Sequence, residues 1–225
     1  MNQSKENIAK RIETISATLP KGVTLIAVSK YHPIEAIEAA YSAGQKDFGE
    51  SKAQDLVVKQ QSLPADIRWH FIGHLQSNKI KYIAPFIHLI HSIDSLRLLQ
   101  EVNKQACKIK RTIPCLLQIH IAQEQTKFGL TPQECIELLD GNEWKALSNV
   151  EIRGLMCMAS NTDNETQIRA EFAKVKELFD EIKRRFFATD DKFNILSAGM
   201  SDDYPIAIQE GSNCIRVGSS IFAGE

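Results

Sequence analysis

The stretch "VTLIAVSKYHP", Val23 to Pro33, has five apolar residues in its first six and then an amine at Lys30. A lysine held partly out of water beside another cation loses its proton more readily, and the neutral amine attacks a carbonyl to form a Schiff base. Two other stretches offer groups for an anion. In "SAGMSDDYPIAIQEG", Ser201 stands just before a helix expected to start near Asp202 or Asp203 and to end at Gly211. Its hydroxyl and the unpaired N–H groups of the helix start favour negative charge. In "RVGSSIFAGE", Gly218 lets the backbone approach a ligand, and Ser219 and Ser220 add donors. Each feature also has a plainer reading: a solvated strand-end cation, an N-cap, a turn glycine.

The elements that must position these groups follow from hydropathy. Eight short apolar or β-branched runs are expected as strands: "VTLIAVSK", "DFGE", "WHFIG", "IHLIHSID", "IPCLLQIHI", "EIRGLMCM", "FNILSAG" and "NCIRVG". Helical patterns lie between them, in "PIEAIEAAYSAG", "SLRLLQEVNKQACKI", "TPQECIELLDG" and "EFAKVKELFDEIKRRF". Alternation without a long polar linker predicts a parallel sheet with helical crossovers, best met by a single (β/α)8 TIM-type barrel over residues 1–225 with an extra N-terminal helix. An open doubly wound sheet is the alternative. In a barrel the strand ends carrying Lys30, Glu50, Gly73, Asp94, Ser197 to Ser201 and Gly218 share one face, where a phosphate commonly sits after strands seven and eight. Closure sets strand eight about 4.8 Å from strand one. The two-residue period then brings Arg216 and Lys30 to the mouth. A phosphorylated aldehyde with a ring nitrogen, such as pyridoxal 5'-phosphate, satisfies both.

Composition excludes other classes. Lys and Arg number 27 against 28 Asp and Glu, so no charge excess calls for nucleic acid or an anionic membrane. The start is an amphipathic helix with Ile8, Ile12, Ile15 and Leu19 on one face, unlike a signal peptide. No run approaches the roughly 20 apolar residues of a span. Five widely spaced cysteines without a C-x-x-C read as reduced thiols in a cytoplasmic protein. Asp203 stands where a nucleophile elbow needs glycine. His70 and His74 are separated by a strand end and a turn, so they do not make a helical metal pair.

In order along the chain, "AVSKYHP", "DFGES", "WHFIGHLQSNK", "HSID", "EQTKFGL", "GLMCM" and "LSAGMSDD" with "AIQEGSNCIRVGSSIFAGE" resemble the pyridoxal phosphate homeostasis proteins, which are similar to the N-terminal barrel of alanine racemase (fold type III). The resemblance implies that Lys30 holds the cofactor as an internal aldimine. It implies that Ser201, with Met200 beside it, Gly218 and Ser219 bind the phosphate, and that Arg216 faces the pyridine nitrogen. Asn78 would line the pocket. Where the family pattern is Gly-Glu-Asn-Tyr this chain has Gly49-Glu50-Ser51-Lys52, leaving Ser51 to meet the ring hydroxyl. Lys127 in "EQTKFG" is expected to be solvated.

The resemblance further implies a monomeric carrier of pyridoxal 5'-phosphate that buffers the cofactor or delivers it to apo-enzymes, without substantial turnover. An amino-acid racemase or related enzyme is the alternative, as is a cofactor-free sugar-phosphate enzyme. Racemisation needs an acid/base on each face of the substrate. The sequence ends seven residues after Gly218, which leaves no room for the second domain that supplies one in alanine racemase.

Overall fold

The computed structural model describes residues 2–122 and 128–222. Eight parallel strands close into a barrel in sequence order: β1 (Thr24–Val28), β2 (Asp47–Glu50), β3 (Arg68–Phe71), β4 (Leu89–Ile93), β5 (Ile113–His120), β6 (Val150–Met158), β7 (Ile195–Ser197) and β8 (Cys214–Val217). All eight expected strands are present. The open sheet is excluded, because β8 returns to β1 with Thr24 opposite Cys214 and Ala27 opposite Val217.

The helices are α1 (Asn2–Thr18), α2 (Ile34–Ser42), α3 (Ala53–Ser62), α4 (Ile80–Ile83), α5 (Leu96–Lys108), α6 (Pro132–Asp140), α7 (Glu165–Phe186), α8 (Tyr204–Gln209) and α9 (Ser219–Phe222). Their ends obey local chemistry. Thr131 and Glu134 form a reciprocal capping box at the start of α6, with Pro132 in its first turn, and the Asn164 side chain accepts from Gln167 N–H at the start of α7. The expected N-terminal helix is α1, whose Ile8, Ile12 and Ile15 are buried. Among the described residues no helix is long and apolar enough to cross a membrane.

Among the longer helices, α3 escaped the periodicity reading. In α3 the buried positions are Ala53, Leu56 and Lys59, so a cation occupies the third place of the apolar stripe. That lysine has a buried partner, described below.

Strand alternation divides the core in two. Outward-facing Phe48, Trp69, Phe71, Leu117, Leu155 and Ile215 pack with the helices in one continuous apolar layer. Inside the barrel the apolar cluster is small: Leu89, Leu116 and Met156, with Met158 and Ile195 against them. Asp47, His70, His91, Ser197 and Arg216 share that inner face and are all buried. A barrel interior this polar needs its groups paired.

Candidate functional site

At the C-terminal ends of β7 and β8, Ser201 Oγ accepts from two main-chain N–H groups, Gly218 at 3.3 Å and Ser220 at 3.4 Å. Two residues shape this cup. Gly199 has φ +96°, and a Cβ there would lie 2.7 Å from the Ala207 side chain. Any other residue would be strained and crowded. At Gly218 a Cβ would lie 3.2 Å from Val28, so the β8 turn rests directly on the end of β1. Met200 is 40% exposed at the rim, and its N–H donates to Asp203 Oδ1 at 2.6 Å. Burial raises the Asp203 carboxyl above its ordinary range. Ser219 is exposed and starts α9; among the described residues it is the N–H of Ser220, not of Ser219, that reaches Ser201.

Lys30 lies two residues beyond the last residue of β1 and is exposed, not withdrawn from water as the strand-end reading expected. The turn that carries it is nonetheless fixed. Ser29 is fully buried, and its hydroxyl donates to Glu50 Oε1 at 2.6 Å. Lys59 Nζ donates to the Ser29 carbonyl at 2.8 Å and to the same Glu50 oxygen at 2.6 Å. On the other side of Lys30, Tyr31 takes φ +70° and is 75% exposed. The turn is anchored below and open above.

Arg216 is 4% exposed and spans β8, β7 and β6: Nη1 donates to Ser197 Oγ at 2.6 Å and Nη2 to the Cys157 carbonyl at 2.8 Å. Burial lowers its pKa from the usual arginine value. Burial also pushes the neighbouring Cys157 and Cys214 thiols up to about 12 and about 11, which keeps them protonated and poorly nucleophilic. Beneath Arg216 the polar contacts continue through the barrel. Ser197 Oγ lies 3.1 Å from His91 Nδ1, His91 Nε2 lies 3.0 Å from His70 Nδ1, and His70 Nε2 lies 3.0 Å from Asp47 Oδ1.

The structure therefore brings Lys30, Ser201, Arg216 and Gly218 to one mouth through the β8 and β1 pairing. Ser51 follows β2, whose Gly49 pairs with Val28 of β1, and Asn78 follows β3. Ser51 is half-buried at the end of β2, wedged so closely against Gly73 that a Cβ on Gly73 would meet the Ser51 carbonyl oxygen at 2.3 Å. Asn78 is exposed on a 3-10 turn, Ser77–Lys79, after β3. Among the described residues no hydrogen bond ties either to Lys30, Ser201 or Arg216. Lys127 lies outside the described residues.

Sequence reasoning missed two features of the mouth. His120 ends β5, and its Nδ1 is buried without a hydrogen-bond partner among the described residues. The two-residue period from Leu116 through Gln118 carries the signal for it. Beside the Ser201 cup, a cavity of about 500 Å³ is lined by Met158, Ser160, Asp163, Met200, Asp203 and Ile206.

At the opposite end of the barrel Asp47, His70 and His88 have ligand-type atoms within 4.8 Å of one another. Arg68 already donates to both Asp47 oxygens, and both His70 ring nitrogens are engaged. That arrangement is a hydrogen-bonded ion pair in its own right.

A closed barrel with a hydroxyl and two N–H groups after β7 and β8, a lysine after β1 and a buried arginine below defines a recognisable class. Residues 4–225 match the family model described as "Alanine racemase, N-terminal domain". Within that class, the chain belongs to the pyridoxal phosphate homeostasis protein family. The member from Helicobacter pylori (strain J99) is 37% identical over 224 residues, covering 95% of this chain and 97% of that one. The member from Schizosaccharomyces pombe is 35% identical over 205 residues, covering 90% and 84%. Among solved structures, PipY of Synechococcus elongatus with PLP bound superposes with a TM-score of 0.88 at 35% identity, covering 96% of this chain and all (100%) of that one. An alanine racemase of Clostridium difficile shares the fold at 13% identity and a TM-score of 0.75, with 98% of this chain matched to 57% of that one.

Proposed function

We propose that this protein binds pyridoxal 5'-phosphate reversibly at the barrel mouth and takes part in keeping the intracellular supply of that cofactor, holding it through a Schiff base to Lys30 without substantial turnover of amino acids. The observation that carries the reading is the meeting of the Ser201 hydroxyl with the Gly218 and Ser220 N–H groups, one residue past β8 and against the end of β1. These donors fit a phosphate. Ser201, Gly218 and Ser220, with Ser219 and Met200 around them, would take the phosphate oxygens. Arg216 would point a guanidinium N–H at the pyridine nitrogen. Lys30, exposed on its anchored turn, is free to reach the aldehyde, and Ser51 and Asn78 would close the pocket on the β2 and β3 side.

The cofactor, when bound, supplies an aldehyde and a ring that withdraws electrons. Arg216 limits the second property, because an arginine keeps its own proton and leaves the ring nitrogen without one. The names of the relatives favour a homeostasis role over an enzyme. The reading takes residues 1–225 as one barrel domain, monomeric and cytoplasmic, with apo-enzymes that need the cofactor as recipients.

Titration with pyridoxal 5'-phosphate, followed by visible absorption, borohydride reduction and peptide mapping, tests the site; attachment mainly to a lysine other than Lys30 would refute it. A racemase or related enzyme is the second reading, favoured by His120, whose Nδ1 at the mouth is buried without a hydrogen-bond partner among the described residues and could handle a proton. Solvent deuterium exchange at the α-carbon of alanine and serine separates the two. Exchange that depends on Lys30 and runs on the order of 1 s⁻¹ or faster would establish the enzyme.

A further inference from the structure

Arg216 is a buried cation, and among the described residues no carboxylate pairs with it; its two hydrogen bonds go to a hydroxyl and a carbonyl. An unpaired buried charge is costly; Asp203 acts on it electrostatically, and the hydrogen bonds of Arg216 lead towards a second carboxylate. Those contacts form one line through the barrel, from Ser197 to His91, His70 and Asp47.

With both rings neutral, donor and acceptor rules give that line one direction: the Asp47 carboxylate only accepts, so the proton of His70 sits on Nε2 and His70 Nδ1 accepts. A guanidinium has no acceptor, so Ser197 Oγ must accept from Arg216. The serine's own proton then points to His91 Nδ1 at 3.1 Å. A neutral imidazole accepting at one nitrogen carries its proton on the other, so His91 Nε2–H donates to His70 Nδ1, and His70 Nε2–H donates to Asp47 Oδ1. Four hydrogen bonds run from a buried cation to a carboxylate, every one donating the same way. The opposite arrangement requires a second proton on His70, because the Asp47 carboxylate only accepts and already claims the proton on His70 Nε2; the Ser197 hydroxyl, with two lone pairs, could accept from His91 and Arg216 together. His91 is fully buried and its pKa is held well below the ordinary histidine value, first by burial and then by His70, Arg216 and His88, so the ring is neutral.

We propose that Asp47, His70 and His91 are remote positioning residues for the cofactor. The Asp47 charge at the foot of the barrel fixes the tautomer of both rings, the rings fix the Ser197 hydroxyl, and Ser197 aims the Arg216 guanidinium at the pyridine nitrogen. This rests on the Arg216 contact proposed above. It assigns a role at the mouth to residues on β2, β3 and β4 and to a foot pocket of about 450 Å³ lined by Asp47, Arg68, His70 and His88. Asp47 is also held by Arg68, with Nε donating to Oδ1 at 2.7 Å, so its charge is retained where it is needed.

The test uses nitrogen-15 NMR of histidine-labelled protein without cofactor, then visible absorption with pyridoxal 5'-phosphate bound. Both His70 and His91 are expected as neutral rings protonated at Nε2. A proton on Nδ1 of either ring in the parent protein overturns the proposal, and this arm needs no variant to fold. Asp47→Asn is expected to mix or reverse the tautomers and to shift the absorption maximum of the bound cofactor. Arg68→Gln, which keeps the carboxylate, is expected to do neither, and Asp47→Glu to restore the parent tautomers. Unchanged tautomers in Asp47→Asn, or changed tautomers with an unchanged cofactor spectrum, also overturn it. Failure of Lys30 to hold the cofactor is separate: it removes the functional reading and leaves the cofactor-free NMR result standing.

Discussion

Ser201 receives two main-chain N–H groups at one hydroxyl, and a phosphate entering that cup would gain three donors at once. Hydrogen bonds to a charged group are worth roughly 1.5–3 kcal/mol each. Ser201→Ala is therefore expected to weaken pyridoxal 5'-phosphate binding about tenfold or more. Pyridoxal without the phosphate should bind weakly to both proteins and show no such difference in an absorption titration. Lys30→Ala is expected to abolish the visible absorption of the bound cofactor and its borohydride fixation while leaving the thermal unfolding midpoint close to the parent's, because the side chain is exposed. A large loss of stability would mean that Lys30 has a structural part that its exposure does not suggest. Lys30, Ser201, Arg216 and Gly218 were legible in the sequence, since each is a polar or glycine position at the end of an apolar run. The sequence offers Ser220 as a donor beside Ser219 without telling which of the two meets Ser201, and it does not single out His120. Which N–H meets Ser201 depends on how the β8 turn leans on Val28, and His120 falls inside the run "IPCLLQIHI", which reads only as a strand.

At the scale of the element, α3 is the instructive case. Its buried stripe contains Lys59, which breaks the apolar period and hid the helix from a pattern search. The amine belongs there because Glu50 and the Ser29 carbonyl receive it. The Lys59 and Glu50 side chains are 10% and 1% exposed, and Glu50 Oε2 is already buried without a hydrogen-bond partner among the described residues. Removing one member of a buried pair costs roughly 3–5 kcal/mol. Lys59→Met is thus expected to lose about 3 kcal/mol or more in urea unfolding. Adding Glu50→Gln should recover part of the loss, because the uncompensated charge goes with it. A Lys59→Met protein as stable as the parent would show that this pair does not hold the turn. The eight strands, by contrast, could be read directly, each being short, apolar and closed by a polar residue or glycine.

Across the whole molecule the polar interior sets the response to acid. His91 is kept neutral well below its ordinary value of 6.5, chiefly by burial, so the unfolded chain binds a proton there that the native protein refuses. Its contribution is complete above pH 6.5 and declines as the pH falls below it. Asp47 adds a second, lower window. Burial would raise its pKa, but hydrogen bonds from His70 and Arg68 bring it from 3.8 down to about 2, so its contribution is complete above 3.8 and is lost as the pH falls towards 2. Both act in the same direction, and the unfolding free energy is expected to fall steadily from about pH 6.5 downward, less steeply near pH 6 in His91→Gln. Equal slopes for parent and variant would mean that His91 does not titrate on unfolding. The line of hydrogen bonds has one more consequence, for how such a chain can be cut. It draws one residue from each of β2, β3, β4, β7 and β8. A half-barrel of β1 to β4 would strand His91 without its serine, and one of β5 to β8 would strand Arg216 without its distant carboxylate. Neither half holds the line complete, so two separately made half-barrels would have to associate before it could form.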